Sequence, residues 1–162
     1  QGRPLQLIDF FDISRPKSTE IFGQKLWSYH HGPIELVIMR TRHFPDSAIS
    51  IDEAQWCSGI LVNRQVWISG DTMFDRDYPI CFSEISEVMF HDCQMFQGGV
   101  HASYRELMSL PSRVRDKMYL YHYNDNWDKP ETWVQDSDNF SGDPIKDGFL
   151  GWAEQQVAYD FS

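Results

Sequence analysis

At 162 residues with 41% hydrophobic content, the chain has the length of one domain and enough apolar side chain to bury a core. Its formal net charge of −10 argues against broad adhesion to nucleic-acid backbones or anionic lipid, which needs clustered Lys and Arg, but leaves room for a nucleotide held by metal ions. No apolar run reaches the roughly 20 residues of a membrane helix, and Cys57, Cys81 and Cys93, odd in number and without paired spacing, read as reduced thiols of a cytoplasmic protein.

Gln1-Gly2 has the character of a tag remnant, and residues 1–33 form an N-terminal docking arm with one short helix expected around Ser18–Trp27. His30-His31 precedes the Gly32-Pro33 turn signal; neighbours on a strand face opposite sides, so the pair makes poor co-ligands. Ile34–Thr41 is the first clear strand, apolar throughout as a sheet buried on both faces requires, and it runs into His43 and the loop Phe44–Ser47. Cys57–Val62 and Val66–Ile68 read as a hairpin turned at Asn63. Ser69-Gly70 stops the second of these strands and displays Asp71, after which an acidic loop passes through Asp75, Asp77 and Pro79.

Val88–Phe90 ends in His91-Asp92, and Met118–Tyr121 ends in His122. Ser103-x-x-Glu106 has the spacing of a capping box, so a short helix starts directly after His101, before Pro111. Arg113–Lys117 is a basic turn into the last core strand. Residues 125–162 read as a surface-wrapping tail pinned by Trp127, Trp133 and Trp152, with Gly151–Tyr159 its one helical stretch.

The fold class is α/β, a mixed sheet with flanking helices, and the chemistry gathers at one edge of it. Strands of this kind deliver ligands outside their carboxyl ends, and here those ends carry Asp71, His91-Asp92 and His122, with His43 and His101 beside them. Imidazole with carboxylate is a ligand set for zinc and similar divalent ions. His43, Asp71 and His122 are expected to converge, with Asp71 and His122 within about 8 Å, since Zn–N and Zn–O bonds are only about 2.0–2.2 Å long.

This order of motifs, with Ser69-Gly70-Asp71-Thr72 and Tyr121-His122-Tyr123 at its heart, resembles the second half of a metallo-β-lactamase-fold hydrolase over residues 34–124. The closest branch is the phosphodiesterases that include ribonuclease Z. The resemblance implies half of an αββα sandwich and two divalent metal ions, zinc or manganese, bound by His43, Asp71 and His122 with Asp71 between them. It makes His101 the catalytic histidine that assists the leaving group. His91, Asp92 and Thr72 remain candidates for supporting the ligands. The family's His-x-His-x-Asp-His segment is absent, so the chain is a fragment or one part of a split protein, or else a scaffold that has lost its site; the retained strand-end ligands favour the former.

The functional expectation is therefore part of a dinuclear metal-dependent hydrolase, a phosphodiesterase, inactive by itself. Its partner would be the missing half of the fold, from a second chain, a symmetry-related copy or residues outside these 162, and its substrate an anionic small molecule or nucleotide. The alternatives are a non-catalytic interaction subunit on the same scaffold, or a lactonase or β-lactamase-type hydrolase.

Overall fold

The structure is a computed structural model, and it describes residues 17–21, 24–43, 53, 55–132 and 141–160. The expectations for residues 3–16, for Phe44–Ser47 and for Trp133 lie outside the described residues. One eight-stranded mixed sheet carries the fold: β1 (Lys17–Ile21), β2 (Gln24–His31), β3 (Ile34–His43), β4 (Gln55–Val62), β5 (Val66–Ile68), β6 (Val88–Asp92), β7 (Met118–Tyr121) and β8 (Gly151–Trp152), in that spatial order. The first five pair antiparallel; β5, β6, β7 and β8 are parallel to one another. Helices α1 (Asp77–Ser83), α2 (Tyr104–Met108) and α3 (Ser112–Arg115) make the crossovers between the parallel strands.

The sequence pattern explains most of this. Asn63 and Arg64 both take positive φ (49° and 58°), so the three-residue connection Asn63–Gln65 between β4 and β5 turns in the sense that matches the right-handed twist of paired strands. Ser103 caps α2 as its spacing predicted: its hydroxyl accepts from the Glu106 amide, and its own amide donates to the Glu106 carboxylate at 2.9 Å. The register sets Val37, Leu61, Trp67, Met89 and Met118 in one row across the sheet, on one face. Phe82 of α1 stacks on Trp67, and Leu107 of α2 and Val114 of α3 join the same buried cluster. All three helices thus contribute to one core.

Several local readings change. The helix expected around Ser18–Trp27 is instead the β1–β2 hairpin, because pairing to β3 outweighs a weak local helical preference. The acidic loop through Asp77 and Pro79 contains α1, where Pro79 falls in the first turn and its missing N–H costs nothing. Asp75 Oδ1 accepts from the amides of Asp77 (2.9 Å) and Tyr78 (3.4 Å) there. Gly151–Tyr159 is not a helix: Gly151 sits at φ 136°, and Gly151–Trp152 adds the last parallel strand, so the tail enters the sheet as well as crossing the surface.

The expectation that Ile34–Thr41 is buried on both sides also fails. β3 buries Leu36, Met39 and Thr41 only, and the register places Trp27, Ile38, Ile60, Ile68, Phe90 and Tyr119 in a row on the face opposite the helices. Tyr159 meets that apolar row at Phe90 and Tyr119. No helix among the described residues is long and apolar enough to cross a membrane.

Candidate metal centre

Three parallel strands end at one edge, and each releases a ligand-type side chain there. β5 ends at Ile68 and turns through Ser69 and Gly70, the latter at φ 65°, to present Asp71. Only glycine fits that turn: a Cβ on Gly70 would enter the van der Waals shell of the Ser58 carbonyl oxygen and lie 2.9 Å from its carbon and 3.2 Å from Cys57 Sγ. β6 ends on Asp92, and β7 hands over to His122, which is held at φ 61°. A histidine in that left-handed region costs on the order of 1–3 kcal/mol, a strain that persists only where surrounding contacts impose it.

Those contacts converge on Asp92. Its carboxylate has no solvent exposure; Oδ2 accepts from the Thr72 amide at 2.9 Å and from His101 Nδ1 at 2.6 Å, and Oδ1 from His122 Nδ1 at 3.0 Å. Asp71 Oδ1 approaches His122 Nδ1 at 3.4 Å, and the His101 ring lies edge-on to His122 with centroids 4.6 Å apart. His43 completes the row, its ring 5.2 Å from that of His101. Exposure rises outward from Asp92, which is fully buried, through His101 (22%) to His122 (47%) and Asp71 (46%).

The loops are tied as tightly as the side chains. Ala102 donates to Thr72 O (2.8 Å), Met73 to Arg42 O (2.7 Å) and Cys93 to Tyr121 O (2.9 Å), which joins the segments bearing His101, Asp71, His43, Asp92 and His122 by main-chain bonds. A short bridge between Gln94 and Ser103 closes the loop that leads to His101. Main-chain bonds thus hold these segments of the site to one another.

The ligand atoms of Asp92, His101 and His122 lie within 4.8 Å of one another, close enough to share one cation. The hydrogen bonds argue for a different division of labour. With three donors already on its two oxygens and no access to solvent, Asp92 is committed to orienting the imidazoles. A carboxylate that accepts at both Nδ1 atoms fixes each ring with Nδ1 protonated and frees Nε2 as a lone-pair donor. Asp71 and His122 are then the half-exposed ligand-type groups of the cluster.

Each sequence candidate now has a place. His43, Asp71, His101 and His122 come together, and Asp92 and Thr72 support them from beneath. His91 does not join. It is the strand neighbour of Asp92 and turns to the opposite face, where it is buried, its ring edge-on to Trp67 at 5.6 Å and its Nδ1 2.7 Å from the Asp92 main-chain oxygen. Burial holds its pKa below the usual histidine range and so favours the neutral ring. Sequence reasoning underrated Asp92; the signal was a carboxylate at the last residue of a central parallel strand, where both neighbours also end in ligand-type residues.

Comparison with known proteins corrects the family. A family model described as Anti-Pycsar protein Apyc1 matches residues 1–159. Relatives carry the same name: one from Bacillus phage BSP38 is 46% identical over 66 residues, covering 38% of this chain and 24% of that protein. One from Bacillus phage vB_BsuM-Goe3 is 30% identical over 134 residues (77% and 48%), and one from Paenibacillus harenae is 31% identical over 133 (78% and 48%). The chain spans about half the length, or less, of these relatives.

These matches bear the name of an anti-Pycsar protein, not that of ribonuclease Z or another metallo-β-lactamase-fold hydrolase. The resemblance drawn from the short Ser69–Thr72 segment and single histidines at strand ends is thereby overturned, because ligands at the carboxyl ends of parallel strands are a general property of such sheets. With it go the reading as part of a dinuclear phosphodiesterase and both alternatives, the interaction subunit and the lactonase or β-lactamase type. The match over nearly the whole sequence decides the matter: the chain belongs to the anti-Pycsar protein Apyc1 family.

Proposed function

We propose that this chain carries the reactive centre of an anti-Pycsar protein, which counters a defence system by degrading a cyclic nucleotide. One observation carries the reading: a buried carboxylate, Asp92, orients two imidazoles at a solvent-open edge beside Asp71 and His43. The donor set fits a divalent cation, since Asp71 and His122 are half exposed and His122 has its Nδ1 engaged, leaving Nε2 for coordination. His43, Asp71 and His122 would hold the ion. When bound, it supplies positive charge that draws in an anionic phosphate and acidifies water, which is how a chain of net charge −10 can take an anionic substrate.

The protein's own groups supply the rest. His101 is hydrogen-bonded through Nδ1 to Asp92, which stabilises its imidazolium form; that form gives its Nε2 proton to the ester oxygen as the phosphorus–oxygen bond of the cyclic phosphate breaks and becomes the neutral ring, and a proton from the attacking water restores it. Asp92 also holds His122 in the tautomer that coordinates. We read the helix-free face of the sheet, with Ile38, Ile60 and Ile68, as the seam against a second sheet in an αββα sandwich, supplied by sequence outside these 162 residues. The relatives' greater length supports that reading. A protein acting on a host signal would work in the cytoplasm.

The test is cleavage of 3′,5′-cyclic nucleotides by the intact protein with zinc or manganese, followed chromatographically. Native protein should open the cyclic phosphate, Asp71→Ala and His122→Ala should lose activity and metal together, and His101→Ala should lose activity with its metal retained. No turnover by native protein with either metal defeats the proposal.

A further inference from the structure

One hydroxyl touches all three strand ends that build the centre. Ser69 is completely buried, at the point where β5 gives way to the Asp71 turn. Its Oγ lies 2.7 Å from the Gly70 carbonyl oxygen, which only accepts, so the single hydroxyl proton of Ser69 goes there. The same oxygen accepts from the Asp92 amide at 2.9 Å. The Tyr121 hydroxyl sits 3.4 Å away and, with the serine proton already committed, is the donor of that contact. The three partners are the residue before Asp71, Asp92 itself and the residue before His122.

We propose that Ser69 is a positioning residue of this centre: by cross-linking the three strand ends at one oxygen, it sets the Asp92 carboxylate against His101 and His122 and so determines which nitrogen each imidazole presents. The metal side of this inference rests on the function proposed above; the tautomer side rests on hydrogen bonds alone. The ladder fixes Asp92 against Tyr121 on the β7 side, but on the β5 side it stops short of Asp92. The last β5–β6 register pair is Ile68 with Phe90, and the Ser69 amide still bonds the Phe90 carbonyl at 2.9 Å; beyond that the Ser69 side chain ties the main chain of Asp92 to the turn, while the Thr72 amide reaches only the Asp92 carboxylate. Asp92 then has a fixed backbone beneath it, and its carboxylate meets three donors without searching rotamers. A supporting hydrogen bond of this kind is worth on the order of 10–100-fold in metal affinity.

The experiment compares the intact protein with Ser69→Ala, Ser69→Cys and Ser86→Ala. Cys fills the site with a somewhat larger side chain but is a weak acceptor, so Ala and Cys bracket the size of Ser while both remove the bond. Ser86 is the control, a buried serine whose hydroxyl bonds Phe82 O at 2.6 Å in α1, away from the centre. Long-range proton–nitrogen NMR of metal-free protein reads the tautomers of His101 and His122, and zinc titration reads affinity. Ser69→Ala and Ser69→Cys should mix the tautomers and weaken zinc about 10–100-fold while circular dichroism keeps the sheet; Ser86→Ala should do neither, even with comparable loss of thermal stability. Native tautomers in both Ser69 variants, or the same changes in Ser86→Ala, overturn the proposal. If native protein cleaves no cyclic nucleotide yet the Ser69 variants shift the tautomers, the functional reading falls and this one stands.

Discussion

Replacing Gly70 by alanine tests how the fold builds the centre. Gly70 lies at φ 65°, where an L-residue pays roughly 1–2 kcal/mol for the contact between Cβ and its own carbonyl. The new methyl would also press on β4, inside contact with the Ser58 carbonyl oxygen, 2.9 Å from its carbon and 3.2 Å from Cys57 Sγ. Relief requires the backbone to move, since the two nearest crowded atoms are main chain, and overpacking of that kind costs typically 1–3 kcal/mol. The two terms act on the same residue and sum to about 2–5 kcal/mol. Because Gly70 joins Ser69 to Asp71, the displacement should fall on the ligand as well as on stability. Urea denaturation of Gly70→Ala against native protein gives the first number, and zinc affinity the second. A stability loss under about 1 kcal/mol with native zinc affinity would refute the argument that close strand approach dictates glycine here.

Three further outcomes follow from the same geometry. Asp92→Asn should cost about 1–3 kcal/mol, because an amide cannot accept from three donors and one imidazole must surrender its Nδ1 proton or lose its bond; denaturation and the His101 and His122 tautomers read both effects, and unchanged tautomers would contradict the assigned role. His122→Gly should change stability by no more than about 1 kcal/mol, since release of the strain at φ 61° offsets the lost Asp92 bond, while cyclic-nucleotide cleavage disappears; retained turnover would remove His122 from the centre. Stability should fall as pH rises above about 10. Burial pushes the Tyr78 hydroxyl up to about 12 and, with the Asp147 carboxylate at 2.6 Å, holds Tyr104 higher still. Both therefore stay protonated in the fold where the unfolded chain ionises, so their stabilisation is complete below the unfolded pKa and is lost towards the folded one. Tyr104→Phe should flatten that alkaline decline in a thermal-midpoint profile.

The sequence by itself determined what depends on neighbours along the chain. Apolar runs of three to five residues ending in polar ones located β3 to β7, since a strand is recognised by its own side chains, and the Ser103–Glu106 box located α2 because its bonds span three residues. It also named the ligand-type residues, because strands of one parallel set share an edge, and Asp71 and His122 needed only that rule to meet. What lay beyond it depended on register. The β1–β2 hairpin and β8 are strands because a neighbour pairs with them, not because their own residues insist on it. Asp92 became the hub only when Thr72, His101 and His122, 20, 9 and 30 residues away, came to its two oxygens, while the adjacent His91 turned into the core. Tertiary structure decided that separation because alternation along a strand sends neighbours to opposite faces, and only packing settles which face is the helix-covered core.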